Sequence, residues 1–344
     1  MHAFWQQWLK QKGVNLDERG VQPVAEHLRQ VAALETETVL APLDNFSLIR
    51  MEGDDAEAFL QGQLSNDIRQ AQEGKAQYST YSTAKGRMLA SFLIWRHGGA
   101  YYLMVSADIA AAIAKRLSMF ILRSKVRATL DDAWSILGLS GPDAALILQP
   151  HFNDADKLGD MEQSVREDAS LLRLPHGGYL LALRAGCGFE QDISMAENAH
   201  GVSATVWGLR DIRAGIAWVT QETQEQFVPQ MANMELIGAV NFKKGCYPGQ
   251  EIVARSQYLG KMKRRMSRVE FFERLSVGSK LFSPQLPEQS IGMLAAACQV
   301  GEGRFEGLAV AQSQTWEAGV FGDESHAIAL RELELPYSLE SVLE

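Results

Sequence analysis

The stretch best equipped for chemistry reads Lys243-Lys244-Gly245-Cys246-Tyr247-Pro248-Gly249-Gln250-Glu251. Two glycines bracket a thiol, and two lysines precede it. A cysteine beside cations and close to a helix N-terminus favours thiolate over thiol. Thiolate is the form that acts as a nucleophile, senses oxidants or ligates a metal transiently. The run ending Val240-Asn241-Phe242 predicts a strand before the turn. A helix is expected over 250–259, with Gly260 as its C-terminal cap. The plain alternative for a free cysteine is a small buried hydrophobe. Glycines, a proline and lysines are poor company for a core position, which favours a functional role for Cys246. Cys187, flanked by Gly186 and Gly188, and Cys298, which follows Ala295-Ala296-Ala297, lack such company and are expected to be structural.

The window 243–268 carries Lys243, Lys244, Arg255, Lys261, Lys263, Arg264, Arg265 and Arg268 against Glu251 alone. It reads either as a solvated basic face or as an anion-facing patch around the thiol. The whole chain of 344 residues carries a net charge of −9, which argues against a general nucleic-acid-binding surface. Three separated cysteines and seven scattered histidines form no close ligand pair, so no metal site is expected from this chain alone. The same cysteine usage fits a reducing compartment. No apolar stretch reaches the ~20 residues of a membrane helix. Residues 1–14 lack the apolar core of a secretory signal, so a cytoplasmic protein is expected. No nucleophile–base pair accompanies Cys246 in sequence, and a histidine to activate it could come only through the fold. The glycine patterns of nicotinamide-cofactor and P-loop proteins do not occur.

The elements that must hold this loop can be read from periodicity. Val24, Leu28, Val31 and Leu34 repeat at helical spacing behind Pro23, so 1–40 reads as a helical extension. A strand is expected over 46–51 and helices over 56–64 and 109–122. His97-Gly98-Gly99 and His176-Gly177-Gly178 read as hairpin turns. Beyond Arg268, short apolar runs at 269–272, 280–282, 292–300, 308–313 and 326–330 predict a small antiparallel barrel or sandwich.

The segment from Asn241 through Cys246 to Arg255 resembles the signature loop of the YgfZ family. Companion segments fall in that family's order: Phe59-Leu60-Gln61-Gly62-Gln63-Leu64, Ala84-Lys85-Gly86-Arg87-Met88, Arg213-Ala214-Gly215-Ile216, Phe227-Val228-Pro229-Gln230-Met231-Ala232-Asn233 and Leu335-Pro336-Tyr337-Ser338-Leu339-Glu340. The resemblance runs from about residue 40 to 341 and leaves the first 40 residues uncovered.

That family is related to the glycine-cleavage T-protein, an aminomethyltransferase that uses tetrahydrofolate. The resemblance therefore implies an α+β protein with a T-protein-like fold: two interleaved α+β subdomains and a C-terminal antiparallel β-barrel. The expected parts are the extension 1–40, a folate-binding region 41–258 (41–55 with 133–205, and 56–132 with 206–258) and the barrel 259–344. It implies folate or tetrahydrofolate as cofactor, with Phe46 and Trp207 as aromatic contacts. Phe46 stands where the family has tryptophan, which keeps an aromatic face and loses an indole N–H. It further implies support of iron-sulfur enzymes, including tRNA methylthiotransferases, with Cys246 and Lys244 at the reactive site. Direct nucleic-acid and membrane partners are not expected. The stretch 84–95, where T-proteins carry a catalytic aspartate, has no carboxylate here. Enzyme or binding protein stays open, and the rival reading is a folate-dependent one-carbon transferase of the aminomethyl type.

Overall fold

The computed structural model describes residues 2–16, 22–258 and 262–339. In chain order the elements are α1 (Ala3–Gln11), α2 (Val24–Thr36), β1 (Val39–Pro42), β2 (Phe46–Glu52), α3 (Ala56–Gln63), β3 (Gln77–Ser82), β4 (Met88–His97), β5 (Ala100–Ser106) and α4 (Ala107–Met119). There follow β6 (Arg127–Leu130), β7 (Trp134–Ser140), α5 (Ala144–Leu148), β8 (Gln163–Arg166), β9 (Ala169–Arg173), β10 (Tyr179–Arg184), α6 (Gly188–Ser194), β11 (His200–Gly201), α7 (Ala204–Ala214) and α8 (Gln250–Tyr258). The last six strands are β12 (Arg264–Phe271), β13 (Lys280–Leu281), β14 (Gly292–Gly301), β15 (Arg304–Gln312), β16 (Val320–Phe321) and β17 (Ala329–Leu333). The expected cap Gly260, with Lys261 and Glu340, lies outside the described residues.

These elements divide into two compact units. The first is Met1–Ala56, Gln70–Gln77 and Leu93–Gly208; the second is Glu57–Arg69, Tyr78–Phe92 and Leu209–Glu344. Each unit is therefore assembled from separated stretches of chain.

In the first unit a six-stranded sheet runs β11-β1-β7-β10-β9-β8. Its core includes Leu40, Leu137, Leu139, Leu171, Leu181 and Leu183, together with Trp5, Trp8 and Leu9 of α1. The N-terminal helix is stapled to this core by directional bonds as well as by packing. Trp5 Nε1 donates to Glu190 Oε1 at 2.7 Å, and Trp8 Nε1 donates to the Ser194 carbonyl at 2.8 Å. A buried indole N–H must find such a partner, and α6 supplies both. The 98–99 hairpin turn joins β4 to β5, which pairs antiparallel with β2. The 176–178 segment likewise joins β9 to β10.

In the second unit β13-β14-β15-β12-β17-β16 form an antiparallel sheet. Phe282 and Phe321 exchange backbone hydrogen bonds of 2.9 Å in both directions, bringing the two ends of the sheet together as a nearly closed barrel. Its interior holds Val269, Phe271, Leu281, Leu294, Ala309 and Leu330. Closure removes exposed strand edges that would otherwise pair with other chains. Among the described residues no helix is long and apolar enough to cross a membrane.

Candidate functional site

Cys246 is exposed, Cys187 half-buried and Cys298 buried. Burial pushes the Cys298 thiol up to about 12, the inert condition expected of a structural cysteine. Cys246 sits at the tip of its loop: Gly245 and Cys246 are exposed, while Lys244 on one side and Tyr247 on the other are buried.

Two expectations about this loop need correction. The residues before it, 239–241, form no strand. Their backbone is held by the turn after α3: Ser65 Oγ donates to the Ala239 carbonyl at 2.7 Å, and the Asn241 N–H donates to the Ser65 carbonyl at 3.0 Å. With their polar groups satisfied there, they have no sheet ladder to join. The helix does follow, but α8 starts at Gln250, and the Val253 N–H donates to the Gly249 carbonyl. Cys246 thus precedes the first helical carbonyl by most of a turn, and the helix dipole fades over that range.

Lys244 is 6% exposed, and its Nζ points into the protein. It donates to the carbonyls of Gln61 at 2.6 Å and Leu64 at 2.5 Å, at the end of α3 where the last carbonyls lack helical partners. Nζ also lies 5.1 Å from the centroid of the Tyr247 ring, a cation–π contact. Burial pulls the ammonium down to about 8; Asp67 works against that shift and Arg69 with it. Burial likewise pushes the Tyr247 hydroxyl up to about 12.

The basic window is not one solvated patch. Arg265 bonds the Gln230 carbonyl at 2.8 Å and pairs with Glu235. Arg268 pairs with Glu306 at 2.7 Å. Lys243, Arg255 and Lys263 are exposed. Lys85 is exposed as well, in a turn that touches the Cys246 loop backbone to backbone. A Cβ on Gly249 would lie 2.6 Å from the Gly86 Cα and 2.5 Å from the Thr83 carbonyl oxygen, and Gly249 has φ +81°. Only glycine permits both that conformation and that approach.

The other companion segments turn out to be stitching. Gln230 Nε2 donates to the Val253 carbonyl of α8 at 2.6 Å, and Asn233 Nδ2 to the Met266 carbonyl at 2.8 Å. Tyr337 Oη donates to the Gly215 carbonyl at 2.7 Å, and Arg213 pairs with Glu306 at 3.0 Å. Sequence reasoning placed these segments in order without showing that they bind one another.

The two aromatic candidates differ. Phe46 opens β2 and lines a cavity of about 490 Å³ in the first unit, with Trp134, Leu43, Ile136 and Asp44. That volume lies in the range of small-ligand pockets, and Phe46 is 8% and Trp134 7% exposed. Trp207 is 2% exposed and does not line this cavity. Its ring packs on Gly138 and Gly178, and His176 meets it edge-on at 6.0 Å. Stacking of a ligand on Trp207 would first require that seat to open. Trp134, which sequence reasoning missed, lines the same cavity as Phe46, and nothing local in its sequence marks it.

Among known proteins, the family described as GCVT N-terminal domain matches residues 13–164, reaching into the stretch the signature segments left uncovered. A curated relative, the tRNA-modifying protein YgfZ of Cronobacter sakazakii, is 28% identical over 318 residues, covering 88% of this chain and 93% of the relative. The crystal structure of the glycine cleavage system aminomethyltransferase T from Bartonella henselae superposes with a TM-score of 0.78 at 20% identity, covering 97% of each chain. That likeness establishes the fold, including the barrel. These matches make the chain similar to the tRNA-modifying protein YgfZ and, over 13–164, to the GCVT N-terminal domain, on the fold of the glycine-cleavage T-protein.

Proposed function

We propose that the protein binds folate and supports assembly or repair of iron-sulfur clusters in client enzymes, among them enzymes that methylthiolate tRNA, in the cytoplasm. The observation carrying this reading is the exposed thiol of Cys246, held between two buried neighbours in the family's signature loop. The similarity to the tRNA-modifying protein YgfZ of Cronobacter sakazakii supports the tRNA link. Tetrahydrofolate, when bound, would supply one-carbon or redox chemistry. In the first unit Phe46 offers it a stacking face, and the resemblance adds Trp207 as a second contact. Cys246 is the reactive group, and Lys244 belongs to its site. Lys243 and Lys85 give the tip a positive rim suited to an acidic client surface.

The rival reading, a one-carbon transferase, draws on the aminomethyltransferase fold. Against it stands β4, whose Leu89, Ala90, Phe92, Leu93, Ile94 and Trp95 are all buried, with no carboxylate in the stretch. Titration of wild type, Phe46→Ala and Trp207→Phe with tetrahydrofolate and folic acid tests the folate half. Loss of about 1 kcal/mol or more of affinity in Phe46→Ala is expected from the missing aromatic face. Unchanged affinity would remove Phe46 from the site. Iron-sulfur enzyme activity in cells carrying Cys246→Ala tests the other half, and full activity there would sink the role of the thiol. Turnover of tetrahydrofolate with an amine donor would favour the transferase.

A further inference from the structure

Building on the reading of Cys246 as the reactive thiol, we infer that Lys244 and Tyr247 are positioning residues, a pair of buried feet that hold the Gly245-Cys246 tip outside the surface, with the end of α3 as their socket. Three observations carry this. Burial alternates sharply along the loop: Lys244 is 6% and Tyr247 7% exposed, while the two residues between them are exposed. The Lys244 ammonium is committed in three directions, to the carbonyls of Gln61 and Leu64 and to the face of the Tyr247 ring. Two of the three N–H donors of the ammonium are spent on those carbonyls, and its charge faces the ring. Among the described residues nothing beyond its chain neighbours lies within 4 Å of where a Cβ on Gly245 would sit, so Gly245 adds no packing that would hold the tip.

This assigns a purpose to the Phe59-Leu60-Gln61-Gly62-Gln63-Leu64 segment, whose chemistry the thiol reading did not use. Its carbonyls are the socket. It also recasts Lys244. From sequence it reads as an activator of its neighbour thiol; in the structure it works through the backbone, fixing where the thiol stands.

The clamp has a pH signature. The charges facing Lys244 are Asp67 and Arg69, with the Tyr247 hydroxyl behind its ring. Its docked ammonium titrates near 8, below the ordinary 10.5. A docked state that binds fewer protons than the released state gains stability as pH rises between those values. Tyr247 titrates near 12 when docked and opposes this only as pH passes the ordinary tyrosine value of 10.

Peptide-resolved hydrogen exchange of the full chain, corrected for intrinsic rates, reads the loop directly. In wild type, protection of 244–249 is expected to rise about tenfold from pH 7.5 to 9.5. In Lys244→Met, which keeps the apolar stem and removes the donor, protection at pH 7.5 should fall about tenfold and the rise with pH should vanish. Exchange in β12 should stay unchanged, which separates loop release from general unfolding. Tyr247→Leu should lower protection while keeping the pH response. Loop protection in Lys244→Met equal to wild type at both pH values would overturn the inference. Iron-sulfur enzyme activity in cells carrying Cys246→Ala decides the parent reading separately: if that activity is full, the thiol is dispensable, while the exchange data still decide whether the clamp exists.

Discussion

Gly138 shows how one absent Cβ decides where a large ring can go. An ideal Cβ there would sit 2.4 Å from Cε2 of Trp207, and the nearest atoms all belong to that indole. The ring of a side chain sealed in on α7 cannot retreat, so Gly138→Ala must displace it or bend β7. Overpacking of this kind costs about 1–3 kcal/mol. Urea denaturation of Gly138→Ala should show that loss. A double change to Gly138→Ala with Trp207→Phe should recover part of it, because the smaller ring frees the disputed volume; no recovery would mean the clash lies elsewhere. The same scale marks the limit of reading residues from sequence. Cys246 was visible because its company is chemically odd. Lys244 was visible as a cation and misleading as to what it touches, because its partners at 61 and 64 lie some 180 positions away in the chain. Trp207 entered as a folate contact through the resemblance, and its seat against Gly138 and Gly178 is a fact of packing that no local pattern encodes.

Elements were legible where periodicity is strong and obscure where hydrogen bonds leave the local pattern. The helix expected over 109–122 appears as Ala107–Met119, and the alternating runs after Arg268 became β12, β13, β14, β15 and β17. The short β16 had too few residues to show an alternation. The strand expected before Cys246 failed because Ser65 and Asn66 claim that backbone. The same tertiary logic joins α7 to the barrel. Glu306 of β15, its side chain 3% exposed, pairs with Arg213 of α7 and Arg268 of β12. Burial alone would raise its carboxyl, yet the two guanidiniums outweigh burial and hold it below the ordinary value of 4.5. A depressed carboxyl contributes stability that is complete above the unfolded value and lost as pH falls through the folded one. Glu306→Gln should therefore cost about 2 kcal/mol at pH 7, where its charge-assisted pairs with Arg213 and Arg268 are weakened. The gap between variant and wild type should narrow in urea melts below about pH 4. A gap that stays constant with pH would mean the pair stabilises through shape and not through charge.

At the scale of the whole molecule, the question is whether the proposed tRNA link requires contact with tRNA. The chain carries 33 Lys and Arg against 42 Asp and Glu, so any RNA-binding surface must be a local concentration of cations. The obvious candidate is the window 243–268, and the fold dismantles it. Lys244 is spent on α3, Arg265 on Glu235 and Arg268 on Glu306, and each of these pairs is internal to the second unit. Lys243, Arg255 and Lys263 are exposed, with Lys85 beside the loop. A few scattered cations do not neutralise a run of phosphates. Binding through Z phosphate contacts makes log affinity fall with log salt at a slope of roughly −0.7Z to −0.9Z. The expected outcome is weak tRNA binding at about 50 mM salt with a slope no steeper than about −2, measured by filter retention on wild type and on a Lys243→Glu, Arg255→Glu, Lys263→Glu variant. A slope of about −5 or steeper, abolished in that variant, would show a phosphate-tracking surface and make tRNA a direct partner, against the expectation from sequence. A shallow slope in both proteins would leave the proposed link to tRNA to the client enzymes, where the exposed thiol of Cys246 would act.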